Sequence, residues 1–365
     1  MNRRPRILLL IPHLGGGGAE QVTTLLARGL SREKYEVHLG LLTQTGAGAV
    51  EMPPWVNVHA LAVPRVRAGA FRLLGMVRRI KPDLILSGMA HLNFLVLLLR
   101  PFFPRGTRVL VRQNATVSAA LKFGGLPPYS RTLYWTLYRC ADRVICQTRA
   151  MAEDLAAELG IREERIAVLA NPVDVEAIEV VEGGPIQWTG DGPHLLAVGR
   201  LSREKGFDLL LRALETVRNR FPKADLAIAG AGPEEAGLKN QCRKLGLEAA
   251  VCFPGYIANP WTYFPGAALF VLASRHEGMP NALLEAAAGG LPIVALPASA
   301  GVVDLLHGRP GVWIAAEISS AALASSLLAA LEVLPTGARF THAFVPEFSL
   351  ESAIRAYEGM IDSTL

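Results

Sequence analysis

The chain has 365 residues, of which 51% are hydrophobic and 19% are charged. This length indicates two domains, each large enough for its own core, and the composition is typical of a globular protein. A membrane-spanning helix needs roughly 20 apolar residues in a row, and no stretch reaches that length. The longest candidate, Leu92 to Phe103, is interrupted by Arg100 and Pro101.

Charge is shared unevenly along the chain. Residues 1–180 contain 23 Lys and Arg residues against 14 Asp and Glu residues, whereas residues 181–365 contain 14 against 18. A basic N-terminal half indicates an anionic partner. Nucleic acid, membrane lipid and a phosphorylated substrate are the three candidates.

The cysteines and the N-terminus both favour a cytoplasmic protein. The apolar run Ile7 to Ile11 is short for a secretory signal peptide and leads directly into a glycine-rich loop. Four cysteines occur without metal-ligand or redox spacing, so we expect buried free thiols in a reducing compartment. They are Cys140, Cys146, Cys242 and Cys252.

The first predicted strand runs from Arg6 to Pro12. The glycines Gly15–Gly18 then separate it from a helix predicted over Gln21–Leu30. Glycines between a strand and a helix let backbone N–H groups approach a ligand closely. The spacing is neither that of a dinucleotide fingerprint nor that of a phosphate loop, and a flexible turn is the alternative.

Further short apolar runs follow in the first half, and helical stretches separate most of them. Strands that alternate with helices predict βαβ units and a parallel sheet. The predicted strands are Val37–Leu42, Val56–Leu61, Leu84–Ser87, Arg108–Val111, Val144–Gln147 and Ile166–Leu169.

Three segments of this half have the composition of a membrane-binding surface. Arg65 to Lys81 combines six cations with apolar residues in a basic amphipathic pattern, which can lie on an anionic bilayer. Leu92–Phe103 and Tyr129–Tyr138 add leucines and aromatic residues. The alternative is a core helix with a solvated basic face.

A linker divides the chain into two predicted domains. Glu179 to Pro193 is rich in Gly, Pro and Glu and has no periodicity, which indicates a connection between domains. We predict a first domain over residues 1–180, joined by a C-terminal helix within 348–365 that packs back on it. The second domain covers residues 181–347.

The second half repeats the strand–loop–helix pattern. Strand His194–Val198 leads into the loop Gly199–Gly206, and a helix follows over Phe207–Arg220. Every glycine-bearing loop of this half follows a strand, and ligands bind at that edge of an open α/β sheet. The later predicted strands are Leu226–Ala229, Val251–Tyr256, Ala268–Ala273 and Ile293–Leu296, and the later helices are Ala321–Leu334 and Phe348–Ile361.

The stretch from Ser274 to Ala286 predicts a strand-end loop followed by a helix. Pro280 suits the first helical position, where its missing N–H is not needed. Glu277 lies on the loop and Glu285 about one turn into the helix. Between them the helix N-terminus would bind an anion, and the carboxylates would accept from hydroxyl groups. A solvated surface helix is the alternative.

Arg200 and Lys205 lie five residues apart on the loop after the first strand of this half. A guanidinium fork and an ammonium together suit a diphosphate, and fixed cations stabilise a departing diphosphate most strongly in the transition state. Two solvated cations are the alternative. No metal-binding Asp-X-Asp occurs, so we expect the cations and the helix dipole to act without a metal or other cofactor.

These motifs together resemble glycosyltransferase family 4, the retaining enzymes of the GT-B fold. Arg200–Gly206 resembles the family's Gly-Arg-Leu…Lys-Gly element, and Gly230–Pro233 is similar to its Gly-X-Gly-Pro turn. Glu277 to Glu285 matches its Glu-X7-Glu signature. Gly15–Glu20 is similar to its first acceptor-side loop. The resemblance implies an α/β fold of two Rossmann-like parallel-sheet domains that face a cleft.

The resemblance also implies a role for each matching residue. Arg200 and Lys205 would hold the donor diphosphate, Glu277 would contact the donor sugar, and Glu285 would bind the ribose. Other donor-binding positions would be Gly17, Gly18, Gly232, Phe253, Tyr256, Gly278, Met279, Pro280 and Asn281. It also implies transfer with retention, in which the leaving phosphate helps to deprotonate the acceptor.

The acceptor side departs from the family pattern. Many members have a His after the strand that Arg108–Val111 forms, whereas this chain has Arg112, Gln113 and Asn114. Because Gln113 cannot act as a base, His91 on an earlier loop becomes a further candidate. A structural histidine at position 91 is the alternative.

The sequence therefore favours a metal-independent glycosyltransferase. It would transfer a sugar from a nucleotide-sugar donor, with UDP favoured, to a lipid-linked or polysaccharide acceptor in cell-surface glycan biosynthesis. We expect a peripheral protein on the anionic cytoplasmic face of the membrane and no nucleic-acid binding. The alternatives are a nucleotide-sugar 2-epimerase of the same fold and a non-catalytic nucleotide-sugar-binding protein.

Overall fold

The described chain forms two compact units, Met1–Pro172 with Glu347–Leu365, and Val173–Pro346. A computed structural model describes residues 3–15, 17–43, 51–63, 69–123, 129–179, 188 and 192–365. None of the helices in those ranges has the length and hydrophobicity of a membrane-spanning segment.

The first unit is built on a seven-stranded parallel sheet in the order β3-β2-β1-β4-β5-β6-β7. Its strands are rich in Ile, Leu and Val, which is typical of a sheet buried on both faces. They are β1 Arg6–Ile11, β2 Glu36–Leu41, β3 Asn57–Ala60, β4 Leu84–Ser87, β5 Arg108–Arg112, β6 Arg143–Cys146 and β7 Ile166–Val168.

Helices cover both faces of this sheet. Leu8 and Leu10 of β1 pack on one side with the second to sixth helices, and Ile7 and Leu9 pack on the other with the first helix. The helices are α1 Gly18–Gly29, α2 Ala70–Ile80, α3 Ala90–Leu99, α4 Val117–Phe123, α5 Ser130–Leu137 and α6 Arg149–Leu159.

The second unit has a six-stranded parallel sheet in the order β10-β9-β8-β11-β12-β13. The strands are β8 His194–Val198, β9 Asp225–Ala229, β10 Val251–Gly255, β11 Leu269–Leu272, β12 Ile293–Ala295 and β13 Val312–Ile314. The helices are α7 Val175–Glu179, α8 Phe207–Arg220, α9 Glu235–Lys244, α10 Asn281–Ala288, α11 Ala300–Leu306 and α12 Ser320–Val333. Helices α8, α9 and α12 enclose the core on one face.

The last helix, α13 Leu350–Thr364, belongs to the first unit. Tyr357, Met360 and Ile361 are buried against α1 and β1. Glu358 accepts hydrogen bonds from the Ser31 backbone N–H at 2.9 Å and from Lys34 Nζ at 2.7 Å. The first unit is therefore built from both ends of the chain.

The predicted alternation of strands and helices agrees well with the observed elements, and the predicted boundary between the two units agrees less well. Strands β4 and β8 and helix α8 begin and end where the sequence predicts. The second unit begins at Val173 rather than after residue 180, because α7 packs against α10. Most of the predicted linker, residues 180–187 and 189–191, lies outside the described residues.

The expectation of four buried thiols is half wrong. Cys146 and Cys242 are buried, but Cys140 and Cys252 are exposed, and all four are free. Burial raises the pKa of the Cys146 thiol to about 12 and that of Cys242 to about 11. The two buried thiols therefore stay protonated at neutral pH.

Candidate functional site

Three loops of the second unit meet at one edge of its sheet. They follow β8, β9 and β11, which are neighbours in a parallel sheet, so their carboxyl ends lie side by side. The Leu201 N–H donates to the Ala231 carbonyl oxygen at 3.0 Å and the Arg275 N–H to that of Glu204 at 2.7 Å. These backbone bonds hold the loop after β8 between its two neighbours.

The predicted catalytic carboxylate, Glu277, lies at the centre of this edge. Its side chain is 9% exposed. Oε1 accepts hydrogen bonds from Lys205 Nζ and from Ser274 Oγ, both at 2.6 Å. The structure therefore brings Glu277 and Lys205 together, and it adds Ser274, a buried hydroxyl that the sequence argument did not select.

A second ion pair fixes the two loops relative to each other. Arg275 makes a bidentate pair with Asp208, with both N···O distances at 2.7 Å. It also donates to the Arg203 carbonyl oxygen at 2.9 Å. Partial burial acts to raise the pKa of Asp208, but the hydrogen bonds and charge of Arg275 outweigh it and lower that pKa below its usual value.

Gly206 determines how closely these loops approach. The 3-10 turn Arg203–Lys205 ends at Gly206, whose φ of 65° lies in the left-handed region that favours glycine. A Cβ there would stand 1.9 Å from the Ala273 carbonyl oxygen. The missing side chain lets the backbone carrying Lys205 pack against the end of β11.

The remaining donor-side candidates line the same edge. Arg200 is exposed, and its side chain makes no hydrogen bond within the described part of the chain. Gly232 packs closely on the loop after β8, since a Cβ would stand 2.3 Å from the Leu201 carbonyl oxygen. Phe253 is half-buried and Tyr256 is 42% exposed after β10.

Helix α10 begins one residue later than predicted. Pro280 is its N-cap, with extended backbone, and not its first helical residue, because the helical hydrogen bonds start with the Pro280 carbonyl oxygen. Gly278 is buried, whereas Met279 and Asn281 are half-buried beside the N-terminus. Glu285 is buried one turn into the helix.

The glycine-rich loop of the first unit lies at the carboxyl edge of its own sheet. Gly17 caps α1 and Gly18 begins it. The Gly15 N–H donates to His13 Nδ1 at 3.2 Å, and His13 Nε2 lies 3.8 Å from the buried carboxylate of Glu20. His13 and Glu20 were not selected from the sequence, although both flank the glycines.

The four acceptor-side candidates divide into two kinds. Arg112 is 2% exposed and donates to the side-chain oxygens of Asn114, at 2.8 Å, and of Asn171. Gln113 is also buried and accepts a hydrogen bond from Tyr138 at 2.8 Å. Their bonds hold the end of β5 in place. His91 is exposed at the start of α3, and Asn114 is half-buried.

The residues missed on the donor side had a sequence signal. Ser274 and Arg275 stand three and two residues before Glu277, and Asp208 stands three residues after Lys205, so each lies close to a selected residue. No group of three or more His, Cys, Asp or Glu side chains among the residues with described positions is arranged to hold a metal ion.

Comparison with known protein families identifies two domains. The profile described as Glycosyltransferase Family 4 matches residues 16–177, and that described as Glycosyl transferases group 1 matches residues 185–341. A glycosyltransferase of Methanocaldococcus jannaschii is 24% identical over 65% of this chain. The chain spans 61% of that relative's length.

Two further comparisons cover most of the chain. The N-acetylgalactosamine-N,N'-diacetylbacillosaminyl-diphospho-undecaprenol 4-alpha-N-acetylgalactosaminyltransferase of Campylobacter jejuni is 26% identical, over 81% of this chain and 82% of its own. The crystal structure of Anabaena HepE in complex with UDP and glucose superimposes with a TM-score of 0.79 at 18% identity, covering 99% of this chain and 100% of that one. This likeness shows the fold and confirms the predicted GT-B class.

Proposed function

The chain belongs to the glycosyltransferases that the family 4 and group 1 profiles describe, and from this we propose that it transfers a sugar from a nucleoside-diphosphate donor to a lipid-linked or polysaccharide acceptor. The observation that carries the proposal is the contact of Lys205 with Glu277 at 2.6 Å. A cation and a carboxylate at the N-terminus of α10 match the two halves of a nucleotide sugar, its diphosphate and its hydroxyl groups.

The donor diphosphate would bind to Arg200, Lys205 and the N-terminus of α10. The helix N-terminus carries partial positive charge, and the two side chains add full charges. As the bond to the sugar breaks, the diphosphate gains negative charge, which these groups stabilise in the transition state. In this proposal they take the place of a metal ion.

Glu277 would then hold the donor sugar through its hydroxyl groups. Ser274 donates to the same carboxylate oxygen as Lys205, so Glu277 stays oriented when Lys205 turns to the diphosphate. Glu285 would accept from the ribose hydroxyls. The predicted positions at Gly232, Phe253 and Tyr256 would lie beside the base, and Gly17 and Gly18 would contact the diphosphate or the acceptor.

Transfer would proceed with retention at the anomeric carbon. The bond from that carbon to the diphosphate oxygen breaks, and the acceptor oxygen bonds to the same face of the sugar. The acceptor proton passes to the departing phosphate oxygen, so no side-chain base is needed. This suits a site in which Gln113 is buried and bonded to Tyr138.

The comparisons support finer proposals about the substrates. The solved relative HepE holds UDP and glucose, and the Campylobacter jejuni relative is named for an undecaprenol-diphosphate-linked acceptor. We therefore favour a UDP-sugar donor and a lipid-linked glycan acceptor. Such an acceptor is anchored in the cell membrane, so the protein would act peripherally at its cytoplasmic face.

A panel of UDP-sugars, with a polyprenyl-diphosphate glycan as acceptor, tests this function. We expect the wild type to release UDP and extend the glycan, and Glu277→Gln to lose at least 100-fold in kcat while remaining folded. The measurement is the rate of UDP release together with mass analysis of the glycan. Conversion of a UDP-sugar into its 2-epimer without transfer would favour the epimerase instead.

The matched control is Glu332→Gln, which neutralises a carboxylate on α12 that lies 3.8 Å from Arg220. That variant should turn over like the wild type. If Glu277→Gln also turned over like the wild type, Glu277 would have no part in catalysis. If the wild type bound UDP but transferred no sugar, that result would favour the non-catalytic alternative.

A further inference from the structure

A buried arginine of the first unit has no acidic partner. Arg112, the last residue of β5, is 2% exposed. Its Nη1 and Nη2 atoms donate to the amide oxygens of Asn114, at 2.8 Å, and of Asn171. Among the residues with described positions, no Asp or Glu forms an ion pair with it. Arginine is rarely buried to this degree without a carboxylate, so its charge is unbalanced.

Carboxylates of the same unit contact other groups instead. Burial and the charge of Asp154 raise the pKa of the Cys146 thiol, while Arg112 acts to lower it, so both charges lie near that residue. Asp154, however, accepts from the first two N–H groups of α4, at 2.6 and 3.2 Å. The carboxylate of Glu20 lies 3.8 Å from His13. Neither carboxylate neutralises Arg112.

Three hydrogen-bond donors around Arg112 make no hydrogen bond of normal geometry within the described ranges. They are Nε of Arg112 itself, Nε2 of Gln147 and the hydroxyl of Tyr357, and all three residues are buried. Tyr357 lies on α13. Burial raises the pKa of Tyr357, and the nearby Arg112 guanidinium opposes that rise by its charge. The hydroxyl and the guanidinium are therefore neighbours.

The strand register places Gln147 on the same side of the sheet. Strands β5 and β6 pair with Arg112 opposite Ile145, and Gln147 follows Ile145 by two residues. Side chains two residues apart along a strand share a face. Ile145 packs on the face that α1 and α13 cover, as does Leu110, two residues before Arg112. The three donors therefore meet at the carboxyl ends of β5 and β6.

Unpaired donors and an unbalanced positive charge together indicate an oxyanion ligand. Buried polar groups in native proteins are nearly always hydrogen-bonded. Water could accept from the donors but would leave the charge of Arg112 unbalanced. A guanidinium fork matches the paired oxygens of a phosphate or a carboxylate. Asn114 is half-buried on the loop after β5, so the solvent side of that loop gives access to the guanidinium.

We propose that Arg112, Gln147 and Tyr357 form a binding site for an oxyanion of the acceptor, either a phosphate or a carboxylate group. The charged oxygens replace the neutral amide oxygen of Asn114 on Arg112 and accept from the three donors. The site lies at the carboxyl edge of the first sheet, where ligands bind in α/β folds. That the anion belongs to the acceptor rests on the proposed function, whereas oxyanion binding does not.

Calorimetric titration with inorganic phosphate tests the site itself. The full chain carrying Arg200→Ala and Lys205→Ala, which lacks the donor-side cations, should bind one phosphate. Adding Arg112→Gln to this background should weaken binding at least tenfold. Tyr357→Phe and Gln147→Leu should each weaken it about fivefold, since each removes one hydrogen bond to a charged group.

Tyr134→Phe is the matched control. Tyr134 is also fully buried with an unpaired hydroxyl, but it packs in the core on the other face of the sheet. This variant should bind phosphate as the background does. Because Tyr357→Phe removes a hydroxyl without a hydrogen-bond partner, it should keep its denaturation midpoint. It therefore tests the site even if Arg112→Gln does not fold.

Steady-state transfer with Arg200 and Lys205 intact identifies the source of the anion. Tyr357→Phe should raise the acceptor KM about fivefold and leave kcat and the donor KM unchanged. If the ligand is a phosphate, the rise occurs with a diphosphate-linked glycan and disappears with the same glycan on a neutral lipid. If it is a carboxylate, the rise persists on the neutral lipid and requires an acidic sugar.

The proposal fails if the background chain binds no phosphate, or if Tyr357→Phe and Gln147→Leu bind it as tightly as Tyr134→Phe. It also fails if these variants lower the denaturation midpoint and change neither phosphate affinity nor acceptor KM, since their role is then structural. Phosphate binding by a wild type that transfers no sugar would contradict the proposed function and still support the oxyanion site.

Discussion

The pair formed by Lys205 and Glu277 has two uses at the scale of single residues. Without a donor, each side chain neutralises the other, which stabilises a carboxylate that is mostly removed from water. With a donor, the diphosphate offers Lys205 more negative charge than Glu277 does. Ser274 then remains as a donor to Glu277. The same contact that stabilises the empty site therefore prepares it for a phosphate.

Gly206→Ala should destabilise the second unit by about 3 kcal/mol. A left-handed φ costs a residue with a side chain about 1–2 kcal/mol, and the contact with the Ala273 carbonyl oxygen adds a similar amount because the backbone must shift. Chemical denaturation measures the loss of stability, and hydrogen exchange in α8 provides a second measurement of it.

Gly246→Ala is the matched control for that substitution. Gly246 has nearly the same φ, 64°, but a Cβ there would meet no atom within 4 Å. Gly246→Ala should therefore lower stability only by the cost of placing alanine at a left-handed φ, about 1 kcal/mol. Equal losses at the two glycines would mean that close packing of the loop against β11 contributes nothing.

At the scale of elements, Arg275 and Asp208 join the beginning of α8 to the loop before α10. The two loops are linked by a bidentate ion pair and by the bond from the Arg275 N–H to the Glu204 carbonyl oxygen. Because Lys205 lies on one loop and Glu277 on the other, this link determines how far apart those two side chains lie.

Asp208→Asn should lower stability at pH 7 by about 1 kcal/mol, since the pair is partly exposed. The folded-state pKa of Asp208 lies below its ordinary value of 3.8, so its contribution is complete above about pH 5 and is lost as pH falls through the folded value. The difference between wild type and variant should therefore shrink towards pH 3.5 in urea unfolding.

A carboxylate on α12 that contacts the C-terminal end of α8 provides the comparison. Glu332 pairs loosely with Arg220 at the end of α8, at 3.8 Å, and both are well exposed. Glu332→Gln should change stability by less than about 0.5 kcal/mol at either pH. A constant deficit of Asp208→Asn across this pH range would show that the ion pair with Arg275 is not its source.

At the scale of the whole molecule, the chain leaves the first unit near Pro172 and returns to it at Glu347. The returning helix α13 buries Tyr357, Met360 and Ile361 in a core formed by α1 and by residues of β1, β2, β4, β5 and β6. Stability of the first unit therefore depends on contacts between residues more than 300 positions apart, such as Lys34 with Glu358.

Deletion of residues 349–365 should destabilise the first unit selectively. The deletion would expose the apolar side of α1 and remove the hydrogen-bond partner of Ser31 and Lys34. The free energy of unfolding of the first unit should fall by several kcal/mol, because large buried side chains are removed. Hydrogen exchange should rise in β1 and α1 and stay unchanged in β8 and β11. An equal rise in both sheets would contradict this.

Much of this fold was predictable because local patterns determine it. Apolar runs of four to six residues between helical stretches predict parallel strands, and the parallel arrangement puts every following loop at one edge of each sheet. Arg200, Lys205, Gly232 and Glu277 could therefore be assigned to one edge from their positions after strands. The C-terminal helix itself was likewise predictable from its amphipathic pattern.

The sequence by itself determined the order of the elements, the class of fold and the loops that carry the candidate site, because each depends on neighbours within a few residues. Only the tertiary structure decided which side chains meet. Lys205 and Glu277 are 72 positions apart, the apolar side of α2 turned out to be core, and Arg112 and Gln113 are buried. Such contacts depend on packing between distant segments, and no local period encodes them.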